Sequence, residues 1–438
     1  MMTFKPLLLI GLFVATAMLP RGLMGQHDPI VLHNLTVIDG NGGPPQQAMT
    51  IVISKGRITD LFPTGRKRAP SGARIMDLKG HYAIPGLIDS HVHVTNDPAN
   101  TAAQHRLLRF ALLGGVTSVR DMGGDAIILG ELVLAAQKSE ILSPRIFFSA
   151  MMAGPAWFSD PRAVAAAHGR KAGEVPWLRS ITEDTDIEAA VSEAKAIGAT
   201  GVKIYADLSP NLVARLSAEA HRQGLKVWSH ATIHPSTPAD AVAARVDVVS
   251  HAMLFLWQAS SQVPQSYAEV RKAVPSTFPT FEEGRERILG LLSAMREKGT
   301  ILDATVNVSS RMGAQRSVRA NPWVTWSLGV TRLAKEMGIA IVAGSDDLGN
   351  PALDPVPTIH KEMELLVRHC GLTPLEAITA ATLTGAKVLG VDQSHGMIKV
   401  GRVADLVVLR EDPTVDIRNT TTIAYVIKDG KLYQPETK

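Results

Sequence analysis

Short apolar runs recur along the middle of this chain, and between them the apolar positions switch to helical spacing. The pattern predicts strands at 83–89, 115–120, 145–150, 201–205, 226–230, 247–251, 301–305 and 339–345. Helices are predicted at 101–113, 125–138, 187–198, 209–223, 285–298, 325–337 and 357–370. Continuous apolar runs bounded by turn residues suit strands covered on both faces, as in a parallel sheet flanked by helices. Eight strand–helix units over about 300 residues match the α/β class and a (β/α)8 TIM barrel. A doubly wound open sheet is the runner-up, but no Gly-rich phosphate loop follows the first strand.

The two ends read differently. Thr50–Ser54 and Arg57-Ile58 flank Lys55-Gly56, a tight hairpin, and Lys428-Asp429-Gly430-Lys431 closes another near the far end. Leu35–Ile38, Ala404–Leu409 and Ile423–Ile427 are further strand candidates. A small composite β-sandwich built from both termini is therefore expected, from 26–80 and 391–438, around a barrel at 81–390. Long loops at 151–185, 252–281 and 306–322 fall after the third, sixth and seventh barrel strands, on the face where a substrate lid is built.

Composition narrows the class. With 438 residues, 45% hydrophobic and 20% charged, the chain is an ordinary globular protein. The net charge of +4 is scattered, and its densest run, Arg66-Lys67-Arg68, lies in a Pro/Gly-flanked loop without aromatics, so no nucleic-acid partner is expected. Lys5, the apolar stretch Leu7–Leu19 and Gly25 have the order of a secretory signal, which predicts export to a periplasmic or secreted location with loss of residues 1–25. That stretch is too short to favour a stable membrane span, although an uncleaved anchor is the competing reading. The single cysteine, Cys370, allows no intrachain disulfide and suits packing. A homo-oligomer stays open.

The chemistry concentrates at strand ends. His91-Val92-His93 closes the first apolar run, and alternate residues of a strand share a face, so both imidazoles can reach one metal ion. Alone, such a pair is as well explained by packing. His230, His251 and Asp346 then stand at the ends of the fifth, sixth and eighth strands, where barrel chemistry sits. Neutral imidazoles with a carboxylate suit zinc or a similar divalent ion. Lys203, between Val202 and Ile204, is costly to bury as an ammonium. Reaction of its neutral amine with carbon dioxide, giving a carbamate, is one resolution; pairing with a nearby acid or pointing to the barrel mouth is the other.

Pro85-Gly86-Leu87-Ile88-Asp89-Ser90-His91-Val92-His93 resembles the first-strand signature of the amidohydrolase superfamily. Gly115–Asp121, Lys203, His230, His251, Ala343–Asp346, Thr373–Ala377 and Gly401–Leu406 follow in that family's order, so the resemblance covers essentially everything after the export segment. The lysine resembles the binuclear branch that includes prolidase-like and Xaa-Arg-type dipeptidases, whereas imidazolonepropionases and deaminases typically bind one metal and lack it. The resemblance implies one metal on His91, His93 and Asp346, a second on His230 and His251, and carboxylated Lys203 bridging two divalent ions, with zinc expected. Dipeptidase-type members often read Thr-Asp-Ser where this chain has Ser345-Asp346-Asp347, which puts the neighbouring substrate contacts in doubt.

These parts imply hydrolysis of an amide bond in a small-molecule substrate, a dipeptide or an N-acyl amino acid, by a metal-bound hydroxide with Asp346 as general base and then acid. Hydrolysis of a cyclic amide, as by an imidazolonepropionase, or of a lactone is the alternative. A metal-free binding scaffold is the rival from another class; relatives of that kind have lost ligands, and all six positions are filled here. No serine or cysteine nucleophile is needed, and Gly-x-Ser-x-Gly is absent. Tyr205 and Arg120 are the candidate substrate contacts, Arg311 a weaker one; a structural pairing of Arg120 with Asp89 or Asp121 competes.

Overall fold

The computed structural model describes residues 29–261, 263–270, 278–314 and 321–435; the expected export segment with Lys5, Leu7–Leu19 and Gly25 lies outside them. Among the described residues, eight parallel barrel strands run Leu87–Val92, Val116–Asp121, Arg145–Ala153, Gly201–Ile204, Lys226–His230, Val248–Ser250, Ile301–Asp303 and Ile341–Val342. Each pairs with the next in chain order. Parallel neighbours cannot be joined by a tight turn, so helices make the crossovers. They span Thr101–Leu113, Ala126–Gln137, Ile187–Ala196, Pro210–Arg222, Pro238–Ala243, Phe281–Lys298, Pro322–Glu336 and Ile359–Cys370. The first seven each start at a side chain that accepts a first-turn amide: Asn100, Asp125, Asp186, Ser209, Thr237, Thr280 and Asn321. The sixth starts four residues before the expected 285, because Thr280 and Glu283 form a reciprocal capping box.

The eighth strand departs from expectation. It is two residues long rather than 339–345, and closure against the first strand uses individual contacts instead of a ladder. The Ser90 N–H donates to Ala343 O (3.1 Å) and the Asp346 N–H to His91 O (2.8 Å). Asp346 itself takes a left-handed backbone, φ 58°, so the chain turns off the barrel there.

Strands from both ends make a second, mostly antiparallel sheet of eight strands, in which Leu406–Leu409 pairs with Tyr82–Pro85 and Ile30–Val37 with Gln46–Ser54. The expected sandwich is thus one continuous sheet, with Leu32, Ile51, Leu406 and Ile427 in its core. Both predicted hairpins are present, with Lys55-Gly56 and Asp429-Gly430 all at positive φ as the tight turn requires. Arg145 ties barrel to sheet through Asp405 (3.0 Å) and Asp429.

The long loops are structured. After the third strand, the short helical turns Pro155–Ser159 and Pro161–Ala166 precede a hairpin whose strand Leu178–Ser180 pairs with Met151–Ala153. These turns carry Trp157 and Arg162 over the barrel mouth. No helix among the described residues is long and apolar enough to cross a membrane.

Candidate metal centre and its pocket

The strand ends bring five of the expected side chains into one continuous arc. The His91 ring lies 5.6 Å from that of His93 and 4.9 Å from that of His251; His251 lies 4.8 Å from His230, and His230 lies 4.7 Å from Tyr205. Asp346 Oδ1 sits 3.3 Å from His91 Nε2 and 3.2 Å from His93 Nε2. Ligand atoms of these three residues lie within 4.8 Å of one another, a spacing that one ion can bridge.

The other ring nitrogens decide the tautomers. His91 Nδ1 is 2.7 Å from Asp303 Oδ2, His93 Nδ1 3.2 Å from Gly123 O and His230 Nδ1 3.0 Å from Thr232 O. Carbonyl and carboxylate oxygens only accept, so each Nδ1 carries a proton, which leaves Nε2 as the nitrogen free to give its lone pair to a metal. His251 Nδ1 lies 2.9 Å from Thr305 Oγ1. Inward lone pairs facing a carboxylate repel one another unless a cation lies between them; the donor set therefore fits a divalent ion.

Burial favours the neutral imidazole at His91, His230 and His251 but not at His93. Burial, and then the charge of Lys203, holds the His230 imidazolium down at about 3, and burial takes His251 well below its usual value. His91 and His93 flank the same carboxylate yet shift oppositely: burial prevails at His91 and lowers it, whereas at His93 burial is the largest influence but Asp346, Asp121 and the Gly123 carbonyl together exceed it and raise the value. Despite its own burial, Asp346 is held far below the carboxylate range by His91, His93 and His251.

Lys203 is 1% exposed, and its Nζ has no hydrogen-bond partner among the described residues. Burial pushes its pKa down to about 7, which leaves a substantial neutral amine near neutrality. An orphaned, partly neutral amine in the lining of the same cavity is compatible with a carbamate.

One buried carboxylate beside the site escapes the sequence reading, and a second, Asp89, enters it only as a partner for Arg120. Asp303, fully buried at the end of the seventh strand, also accepts from Arg120 NH2 (2.9 Å) and Ser250 Oγ (2.9 Å). Although buried, it is held below the usual range by His91 and Arg120. Its place at a strand end was a usable signal. Asp89 accepts from Ser345 Oγ (2.6 Å) and Ser345 N–H (3.0 Å), locking the first strand to the segment before Asp346; burial raises it to about 7.

The expectation for Arg120 as a substrate contact is corrected. Its side chain is fully buried, with Nε donating to Ser90 O, NH2 to Asp303, and the guanidinium 4.8 Å over the Trp228 ring. It braces the site from below and does not line the pocket, and its partner is Asp303 rather than Asp89 or Asp121. Arg311 is spent on Asp347 outside the pocket. Tyr205 does line it, against Trp157 (4.5 Å between ring centres).

Above the arc lies a cavity of about 590 Å³. Arg162 stands at its edge, with NH2 3.2 Å from Tyr267 Oη and the guanidinium 4.9 Å over Trp157; Asp160 accepts from it at 2.9 and 3.0 Å. His234, at φ 44°, lines the wall with Nδ1 2.9 Å from Pro264 O.

A parallel barrel with imidazoles and a carboxylate gathered at its C-terminal mouth defines a metal-dependent hydrolase. The chain belongs to the amidohydrolase family, whose match spans residues 82–433, and it is a hydrolase of carbon–nitrogen bonds. It is 24% identical to the imidazolonepropionase of Deinococcus deserti over 361 residues, 81% of this chain and 84% of that one. It is 29% identical to the enamidase of Eubacterium barkeri over 223 residues, 48% and 52% of the two chains. A solved Xaa-Pro dipeptidase with bound methionine in its active site superposes with a TM-score of 0.74 over 93% of this chain and 100% of that one; at 22% identity the likeness concerns the fold.

Proposed function

We propose that this enzyme hydrolyses a linear amide whose leaving nitrogen belongs to an amino acid, as in a dipeptide or an N-acyl amino acid. The observation that carries this reading is the polar edge made by Arg162 and Tyr267 beside Tyr205, in ring contact with His230. A guanidinium and phenolic hydroxyls are carboxylate donors, and they stand next to the candidate metal ligands. His91, His93 and Asp346 would hold one divalent ion, His230 and His251 a second, with Lys203 as its carbamate between them. Such ions, when bound, supply an acidified water and a Lewis acid for the amide carbonyl. Asp346 accepts the proton of the attacking water and delivers it to the departing nitrogen. Asp303 and the Gly123 and Thr232 carbonyls hold the imidazoles in the tautomer this requires. Trp157 and the turn carrying Arg162 line the cavity beside these residues and would limit the access of bulk water to a bound substrate.

Cyclic amide hydrolysis is the second reading, favoured by the likeness to imidazolonepropionase and enamidase. Turnover of a panel of dipeptides, N-acyl amino acids and cyclic amides by the metal-loaded protein separates the two. Linear, carboxylate-bearing amides are the expected substrates; cleavage of cyclic amides alone would transfer the assignment to the second reading. Elemental analysis should find two divalent ions per chain, and full activity with one would remove the binuclear arrangement.

A further inference from the structure

The charge inventory of the cavity discriminates between the two kinds of linear amide. Trp157, Trp323, Met151, Met253, Leu178 and Val270 line much of it. Asp346 is the one carboxylate lining it among the described residues, and that carboxylate already faces His91 and His93. Four further acids near the mouth are engaged outside it, and Asp97, beside Asn96, is exposed and does not line it. Asp160 is paired with Arg162, Asp207 accepts the Tyr267 N–H (2.8 Å), Glu269 accepts the Gln265 N–H (2.8 Å) and Asp347 pairs with Arg311. In sequence, 262, 271–277 and 315–320 contain Arg271, Lys272, Arg316 and Arg319 and no acid.

A free dipeptide carries its ammonium two bonds from the scissile carbonyl carbon. Among the described residues that charge would meet no free carboxylate, and it would lie beside a site built for cations. An acyl group of the same shape without the ammonium can bury its apolar surface against Trp157, Trp323, Met151, Met253, Leu178 and Val270, which is favourable.

We infer that the acyl side of the substrate is uncharged and apolar, so that the enzyme cleaves N-acylated amino acids with an aromatic or branched acyl group in preference to free dipeptides. This rests on the linear-amide reading above and narrows it.

The test is a matched pair, 3-phenylpropanoyl-leucine and phenylalanyl-leucine, which differ only in the α-ammonium, repeated with several leaving amino acids on the metal-loaded full-length protein. The acylated member is expected to have a kcat/KM about 100-fold higher at pH 6.5, the scale set by burying an unpaired charge. Because the enzyme's own titrations cancel in the ratio, the gap should narrow as pH rises through about 7.7–8.0, where an α-amino group loses its proton. Equal or faster cleavage of the dipeptides at pH 6.5 would overturn the inference and leave the linear-amide reading standing. Cleavage of neither member, with cyclic amides turned over, would overturn both.

Discussion

Asp303 Oδ2 lies 2.7 Å from His91 Nδ1, and both side chains are sealed from solvent. Three donors from three strands converge on that one carboxylate oxygen: His91, Arg120 and Ser250. Such a partner fixes the orientation of a metal-ligating imidazole and raises its basicity. Asp303→Asn keeps the size but loses the charge that pairs with Arg120. It should weaken metal binding about 10–100-fold with little change in far-UV circular dichroism. Metal titration checks this; a variant that binds metal like the parent would show that Asp303 is only packing.

Asp346→Asn should lower kcat by about 10²–10⁴-fold, the usual cost of losing a proton-transfer group, with smaller effects on metal content and KM. Asp347→Asn should be milder. The expected reason, a neighbour on a strand facing the other way, is replaced by another: Asp346 is off the strand in a left-handed turn, and Asp347 is held by Arg311 and the Gly349 N–H. Steady-state kinetics with metal analysis on both variants decides it, and reversed severities would mean that the wrong carboxylate was assigned.

Lys203→Ala should abolish turnover and regain part of it with added short carboxylic acids and metal, because a carbamate acts as a carboxylate and the lysine charge is dispensable. A Lys203→Arg variant turning over near the parent rate would refute this, since a guanidinium forms no such carbamate. Mass spectrometry under mild conditions offers a direct reading of the added carbon dioxide.

Stability should respond to acid through His360. Its Nε2–H donates to Gly114 O (2.9 Å), its Nδ1 lies 2.9 Å from Thr420 Oγ1, and burial pushes its pKa from 6.5 down to about 4. Between those values the unfolded chain binds the proton and the folded one resists it. Stability is therefore complete above pH 6.5 and lost progressively as pH falls towards 4, by about 3 kcal/mol in total. His360→Gln, which can still donate to Gly114, should flatten that slope in urea unfolding of the metal-free protein between pH 4 and 7. Parallel slopes for parent and variant would exclude His360 as the titrating group.

What was readable in advance was local. The runs ending at His91, Lys203, His230 and His251 advertise buried strands because a parallel strand must be apolar on both faces, and a polar residue at its end has only the mouth to face. The hairpins at Lys55-Gly56 and Asp429-Gly430 are likewise local, since the turn type selects its residues. Asp303 was passed over, and Asp89 considered only as a partner for Arg120, because nothing in their own neighbourhood distinguishes a carboxylate that ligates from one that steadies a ligand; the difference lies in partners 212 and 256 residues away.

The order of apolar runs and turns by itself determined a barrel with a second sheet from both termini, and placed imidazoles, a lysine and an aspartate at the strand ends, because strand periodicity is a property of consecutive residues. Only the tertiary structure decided which nitrogen of each histidine faces inward, that Arg120 braces the site from beneath it, and that Arg162 meets Tyr267 over Trp157 at the mouth. Those outcomes depend on which strand ends and loops come together when the barrel closes. Closure selects hydrogen-bond partners and desolvates charges across spans of sequence that carry no local trace of the pairing.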